Sequence, residues 1–325
     1  MGEFELLARV MDRLPPPGAR LRLGPGDDAA VTVPGGATAT SVDALVEGVH
    51  FRRDRASLRQ IGAKALATAL SDLAAVGAEP GEAYVVLGIP DDLDEDGCIE
   101  ALDGIADCAA ATGTTLAGGD VSRSPVLSFA ITVVGHAPGP EQFVGRGGAR
   151  PGDVLVLTGA IGGAAAGLLA EELPDSGPRL PEEIAGRLRE RLLVPVPRLE
   201  AGRALAAAGA TAMIDVSDGL GGDAGHLAER SGVGLRIDAE ALPLDRGVAD
   251  LAEAAGREPL RLAVSGGEDY ELLATLPAEG LDLAALAAAA GVAVTQVGEA
   301  VAGGGVEIRL PGGRLLEPVG FDQLG

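Results

Sequence analysis

Apolar positions along the chain recur with two periods, one helical and one strand-like. Phe4, Leu7, Met11 and Leu14 stand three and four residues apart, which predicts an amphipathic helix over 3–14 ended by Pro15-Pro16-Pro17. Two β-like runs follow, 29–33 and 37–42, separated by Pro34-Gly35-Gly36. Ser57 with Gln60 three residues on is a capping box that opens a helix carrying Ile61, Ala65, Ala69 and Leu73 on one face. A strand over 83–89, a helix over 94–111, a short strand over 114–117 and a long apolar strand over 126–135 complete the first half. Residues 137–152 (APGPEQFVGRGGARPG) break the pattern and mark the domain boundary, giving domains 1–147 and 148–325. Beyond it strands (154–158, 212–215) and helices (162–173, two more up to 208) alternate to the end, so the fold class is α/β or α+β.

Composition narrows the picture. A chain of 325 residues exceeds what a single core ordinarily supports, and 47% hydrophobic residues suffice for two. Aromatic residues are only 2%, so the cores are aliphatic; 50 glycines without a triplet period indicate tight turns rather than collagen. Forty-eight acidic against 25 basic side chains leave a charge of −23, which repels nucleic acid and anionic membrane alike. Lys64 is the only lysine, and no G-x-x-x-x-G-K-[ST] loop exists. Cys98 and Cys108 form no CxxC, the three histidines form no HExxH, and the opening Gly2-Glu3-Phe4-Glu5 is acidic where a signal peptide would be basic. The longest strongly apolar stretch, 283–294, is too short to span a bilayer. These features predict a cytoplasmic protein.

The aspartates carry the chemistry. Gly26-Asp27-Asp28 precedes a strand, Ser41-Val42-Asp43 ends one, Ser71-Asp72 lies near the end of a helix, Gly118-Gly119-Asp120 follows a short strand, and Asp215-Val216-Ser217-Asp218-Gly219 closes another. Singly, each reads as a cap or an Asx turn. Asp94, Asp103 and Asp107 read as ordinary helix-surface charges. Collectively, like charges gathered at one place need a counter-cation. Oxygen-only ligands with glycine freedom between them suit Mg²⁺ with phosphate. Gly118-Gly119 and Ser265-Gly266-Gly267 offer backbone N–H groups for phosphate oxygens. Arg146 either grips a phosphate or is a solvated linker charge.

The segments GPGDDAAV (24–31), SVDALVEGVHF (41–51), KALATALSDLAAVGAEP (64–80), GGD (118–120), GARPGDVLVLTG (148–159), IDVSDGL (214–220) and VSGGEDYELL (264–273) are, in this order, similar to the thiamine-monophosphate kinase family, within the aminoimidazole ribonucleotide synthetase-related superfamily. The resemblance spans essentially the whole chain. It implies a ferredoxin-like N-terminal domain that dimerises through its sheet, an α/β C-terminal domain of the aminoimidazole ribonucleotide synthetase type, and ATP between the domains near the dimer interface. It implies ATP-dependent phosphorylation of thiamine monophosphate to thiamine diphosphate with several Mg²⁺ ions, a monovalent cation being a further candidate. Residue by residue, Asp28, Ser41, Val42, Asp43, Asp72, Asp120, Asp215 and Asp218 match metal positions. Gly119, Asp120, Arg146 and Ser217 match ATP contacts, and His50, Glu268 and Phe321 match the thiamine-phosphate side. Val42 departs from the family's usual hydroxyl residue, so a metal contact there uses backbone oxygen, and Phe321 replaces a larger ring. His50 reads equally as a packing residue, and Glu268 as an ordinary turn acid.

A phosphate-monoester acceptor is already anionic at neutral pH, its second pKa being about 6, so no general base or nucleophile is expected among the catalytic groups. The competing readings are a sibling ATP enzyme and a non-catalytic Mg-nucleotide regulator. Neither Cys precedes residue 98 and the chain ends Phe321-Asp322-Gln323-Leu324-Gly325, against selenophosphate synthetase and hydrogenase-maturation relatives.

Overall fold

The computed structural model describes residues 3–27, 29–173, 180–318 and 320. Asp28 and Phe321 therefore lie outside the described residues. The chain packs as two compact units, Met1–Leu73 with Ala78–Phe143, and Ala74–Gly77 with Val144–Gly325.

The first unit runs α1 (Glu3–Met11), β1 (Leu21–Leu23), β2 (Val31–Thr32), β3 (Ala37–Val46), α2 (Leu58–Ala75), β4 (Glu79–Ile89), α3 (Glu95–Thr112), β5 (Thr115–Arg123) and β6 (Ser128–Ala137). Local chemistry sets the helix ends. The Ser57 backbone N–H donates to Gln60 Oε1 at 3.0 Å and the Gln60 N–H to Ser57 Oγ at 3.2 Å, so the capping box forms as expected. Asp94 is an N-cap rather than a plain surface charge: it accepts from the Gly97 N–H at 2.9 Å, and Gly113 closes α3 in the left-handed region. Strands β3, β6, β4 and β5 form one sheet in that order, with only the β4–β5 pair parallel. One face is apolar and buried (Val85, Leu87, Phe129, Ile131, Val133); the other leaves Val42 67% and Val86 42% exposed.

Two expected boundaries are corrected. β3 does not stop before Asp43 but continues to Val46, and Asp43 pairs with Ile131 in its interior. Gly118-Gly119-Asp120 is not a turn after a short strand, since β5 continues through it to Arg123 with Asp120 opposite Val86. Main-chain pairing does not depend on apolar side chains, and on edge strands acids and glycines are tolerated, which conceals the period. Gly119 is required there: a Cβ would stand 2.1 Å from the Val85 carbonyl oxygen.

The second unit runs β7 (Val154–Thr158), α4 (Gly163–Glu172), α5 (Glu182–Leu193), α6 (Leu199–Ala207), β8 (Ala212–Asp215), α7 (Leu220–Ser231), β9 (Gly234–Asp238), α8 (Val248–Ala254), α9 (Pro259–Ser265), β10 (Leu272–Leu276), α10 (Leu283–Ala290), β11 (Val294–Val301), β12 (Gly305–Arg309) and β13 (Leu315–Leu316). Its sheet has the order β13-β12-β9-β11-β7-β10-β8 and is antiparallel except at β12–β9. β10 is buried along its whole length and β7 nearly so, hence their continuous apolar runs. Leu155, Leu157, Ile214, Leu220, Leu227, Leu235, Ile237, Val264 and Leu273 form the main core. Among the described residues no helix is long and apolar enough to cross a membrane.

Two glycines in the first unit allow α2 and α3 to touch backbone to backbone. A Cβ on Gly62 would stand 1.8 Å from the Ala101 carbonyl oxygen, and one on Gly104 1.9 Å from that of Arg59. Helix propensity alone predicts that Gly104→Ala stabilises by about 1 kcal/mol. The overlap reverses the sign, and urea unfolding of Gly104→Ala should show a loss of about 2 kcal/mol. Gly186→Ala on α5, where nothing lies within 4 Å, should instead stabilise.

Candidate functional site

In the first unit the sheet period distributes the predicted residues. Ser41 and Asp43 lie two apart on β3, on the face that carries the buried Val133 and Ile131. Ser41 Oγ donates to Asp72 Oδ2 of α2 at 2.5 Å, so these two predicted residues are in contact. Asp43 accepts the Ala44 N–H at 2.8 Å. Val42 points to the opposite, exposed face. Asp120 shares a pairing row with Val86, Ala130 and Ala44, which places it on that exposed face and on the sheet edge opposite β3. Within one chain the sheet therefore keeps Asp120 apart from Asp43. His50 follows β3 and its Nδ1 accepts the Val46 N–H at 3.1 Å, a packing role that leaves Nε2 uncommitted by that bond.

In the second unit β8 delivers Asp215 into the Val216–Gly219 turn, and α7 returns Asp223 beneath it. Asp223, 3% exposed, accepts N–H bonds from Ser217 at 3.0 Å and Asp218 at 3.1 Å. Burial, then the charge of Asp215 and more weakly that of Asp218, push its carboxyl up to about 8 in spite of those bonds. Three carboxylates thus crowd one turn. Among the described residues, no group of three His, Cys, Asp or Glu is arranged to hold a metal ion. Within the first unit Ser41 meets Asp72, and within the second Asp215 and Asp218 belong to one turn.

The segment 266–271 runs alongside that turn. The Glu268 N–H donates to the Ser217 carbonyl at 2.7 Å, the Tyr270 N–H to Val216 at 2.8 Å, and the Val216 N–H to Glu271 at 2.7 Å. Gly267 is obligatory, because a Cβ would stand 2.5 Å from the Ser217 carbonyl oxygen. Glu268 (φ +66°) and Tyr270 (φ +50°) both occupy the left-handed region, at roughly 1–2 kcal/mol each. Arg146 belongs to a stretch fixed through its backbone: Gly145 O accepts the Met213 N–H at 3.0 Å and Arg146 O accepts Ser231 Oγ–H at 3.1 Å. Its guanidinium is exposed and makes no ion pair among the described residues.

The family model for the N-terminal domain of AIR synthase related proteins matches residues 26–137, and that for the C-terminal domain matches 150–311. The thiamine-monophosphate kinase of Salmonella typhimurium is 40% identical over 280 residues, 85% of this chain and 83% of its own. The chain belongs to the thiamine-monophosphate kinase family. The crystal structure of the thiamine-monophosphate kinase from Stenotrophomonas maltophilia superposes with a TM-score of 0.81 at 34% identity, covering 96% of each chain. A solved complex of AaThiL with AMPPCP and TMP superposes at 0.77 with 31% identity, covering 98% of this chain and 94% of that one.

Thiamine-monophosphate kinases are phosphotransferases, and the mixed α/β architecture with two AIR synthase related domains agrees with that membership. Inspection of the sequence missed Asp223, Asp269 and Glu271. Asp223 had a signal, an acid in the first turn of the helix that follows Ser-Asp-Gly. Glu271 had none, because its partners are 73 to 113 residues away. It is fully buried and accepts from Arg198 Nε at 2.8 Å, Arg198 Nη2 at 2.6 Å, Arg191 Nη2 at 3.1 Å and Thr158 Oγ1 at 2.7 Å. Glu271→Ala would remove the carboxylate that both Arg198 nitrogens and Arg191 share, so equilibrium unfolding should show a loss of about 3–5 kcal/mol. A loss under about 1 kcal/mol would mean that water replaces the carboxylate readily.

Proposed function

We propose that the chain transfers the terminal phosphoryl group of ATP to the phosphate of thiamine monophosphate, in line and without a phosphoenzyme, with magnesium required. The observation that carries this reading is the crowding of Asp215, Asp218 and Asp223 at one turn, in a member of this kinase family. An acid raised to about 8 by burial and then by neighbouring acids marks a place where an added cation is stabilised, and an all-oxygen donor set fits a hard divalent ion. Asp215 and Asp218 would hold magnesium here, and Asp43 and Asp72, with Asp28, in the first unit; bound, it would neutralise charge on the phosphates. Gly119 and Asp120, with the Ser217 hydroxyl, face the nucleotide, and Arg146 contributes an exposed guanidinium to its phosphates. Glu268 meets the cationic or amino end of thiamine, with His50 and Phe321 on the same substrate. Nucleophilic catalysis by cysteine has no support: burial pushes Cys98 up to about 11 and Cys108 up to about 12. The reaction belongs with its nucleotide in the cytoplasm.

A second copy of the chain covers the open face of the four-stranded sheet. Support comes from the exposed Val42 and Val86 and from the position of Asp120, which a single sheet separates from Asp43 by face and by edge. Asp120 then serves the site of the neighbouring copy.

Purified protein given Mg-ATP and thiamine monophosphate should form thiamine diphosphate, and chelator should stop it; ATP hydrolysis without that product would reject the reading. Asp72→Asn and Asp215→Asn should each lower kcat by roughly 100-fold. Co-expressed Asp43→Asn and Asp120→Asn chains should regain about one quarter of wild-type activity, since half the dimers are mixed and each mixed dimer has one intact site. No recovery in verified mixed dimers would place Asp120 in its own chain's site.

A further inference from the structure

Alternate side chains of the segment 266–271 have opposite fates. Asp269 and Glu271 turn inward, at 2% and 0% exposure, while Glu268 and Tyr270 remain half-buried. Neither inward acid is needed by the phosphoryl-transfer reading. Asp269 Oδ2 accepts the Gly162 N–H at 2.8 Å, and the carboxylate takes a second bond from the Ala164 backbone, so it holds the first turn of α4. Arg191 Nη2 reaches the Ala160 carbonyl at 3.0 Å, the Asp269 carbonyl at 3.4 Å and Glu271 Oε1 at 3.1 Å. Arg191 in turn is held by Asp245 at 3.1 Å. The segment is thus fastened from beneath to β7, α4 and α5. From the other side its main chain bonds to Val216 and Ser217.

We infer that Asp269 and Glu271 are positioning residues, a buried clamp that keeps Glu268 and Tyr270 in left-handed backbone and thereby presents Glu268 to thiamine monophosphate. Two left-handed non-glycine residues within three positions revert to extended or helical backbone unless their surroundings over-determine them. The two inward carboxylates contribute to that hold, because their bonds to Gly162, Thr158, Arg191 and Arg198 fix the segment on both sides of Tyr270. Asp269 rather than Glu271 is the sensitive member, since its second oxygen, Oδ1, is buried without a hydrogen-bond partner and its hold on α4 rests on Oδ2. The substrate part of this inference rests on the proposed role of Glu268; the clamp does not.

The test is amide hydrogen exchange on the full chain, combined with steady-state kinetics. Asp269→Ala should speed exchange at Glu268 and Tyr270 at least tenfold while the core of β7 and β10 stays protected. It should also raise KM for thiamine monophosphate about tenfold, with KM for ATP changed less than twofold. Asp269→Asn, which keeps an acceptor for the Gly162 N–H, should restore both readouts most of the way. If Asp269→Ala does not fold, Arg198→Lys, which exchanges a two-pronged hold on Glu271 for a single charge, should shift exchange in the same direction. Unchanged exchange at Glu268 and Tyr270 in a folded variant overturns the clamp. Faster exchange with KM for thiamine monophosphate unchanged in both Asp269→Ala and Glu268→Gln leaves the clamp standing and removes Glu268 from the substrate.

Discussion

Negative charge crowded at one turn is the constraint around which the second unit is arranged. Asp215, Asp218 and Asp223 converge on one turn, and two backbone N–H bonds to Asp223 do not offset the repulsion and burial that raise its carboxyl to about 8. Arg191 and Arg198 both face Glu271, and Arg191 also faces Asp245. The protein thus uses these largely buried guanidiniums to hold the framework, while the acidic turn gathers the oxygen donors that the proposed site for a divalent ion and phosphates requires.

That turn is shaped by main chain more than by side chains. Val216 and Ser217 exchange hydrogen bonds with Glu268, Tyr270 and Glu271, so the two acidic segments define each other. Glycine is indispensable at Gly267, where the neighbouring carbonyl lies too close for any Cβ, and at Gly219, whose φ of +102° admits the start of α7. Strain then concentrates at Glu268 and Tyr270, which carry side chains in a region that glycine would occupy without cost.

The first unit solves a different problem with the two-residue period of its sheet. Ser41 and Asp43 fall on the covered face, where Ser41 meets Asp72 of α2; Val42, Val86 and Asp120 fall on the open one. A single sheet thereby presents a polar contact under its helices and a partly apolar surface on its back. The close α2–α3 approach at Gly62 and Gly104 keeps the helical layer thin.

Much of this was legible along the chain because it is local chemistry. The capping box at Ser57 and Gln60, the strand–turn–helix around Asp215, and the aliphatic runs of β7 and β10 depend on neighbours a few residues away, and such patterns survive in one dimension. The reach of β3 through Asp43 and of β5 through Asp120 did not show, since a pairing partner supplies main-chain bonds that polar and glycine residues accept without any apolar period. Which face each acid occupies followed from that register. The Glu271 network was equally invisible: a carboxylate beside Leu272 looks like any strand-edge acid until folding brings Arg191, Arg198 and Thr158 to it. Residue order is enough to specify caps, turns and the apolar period, because these act over one turn of helix or one pleat. The pairing of charges distant along the chain, and the face on which each falls, exist only once strands have been set side by side.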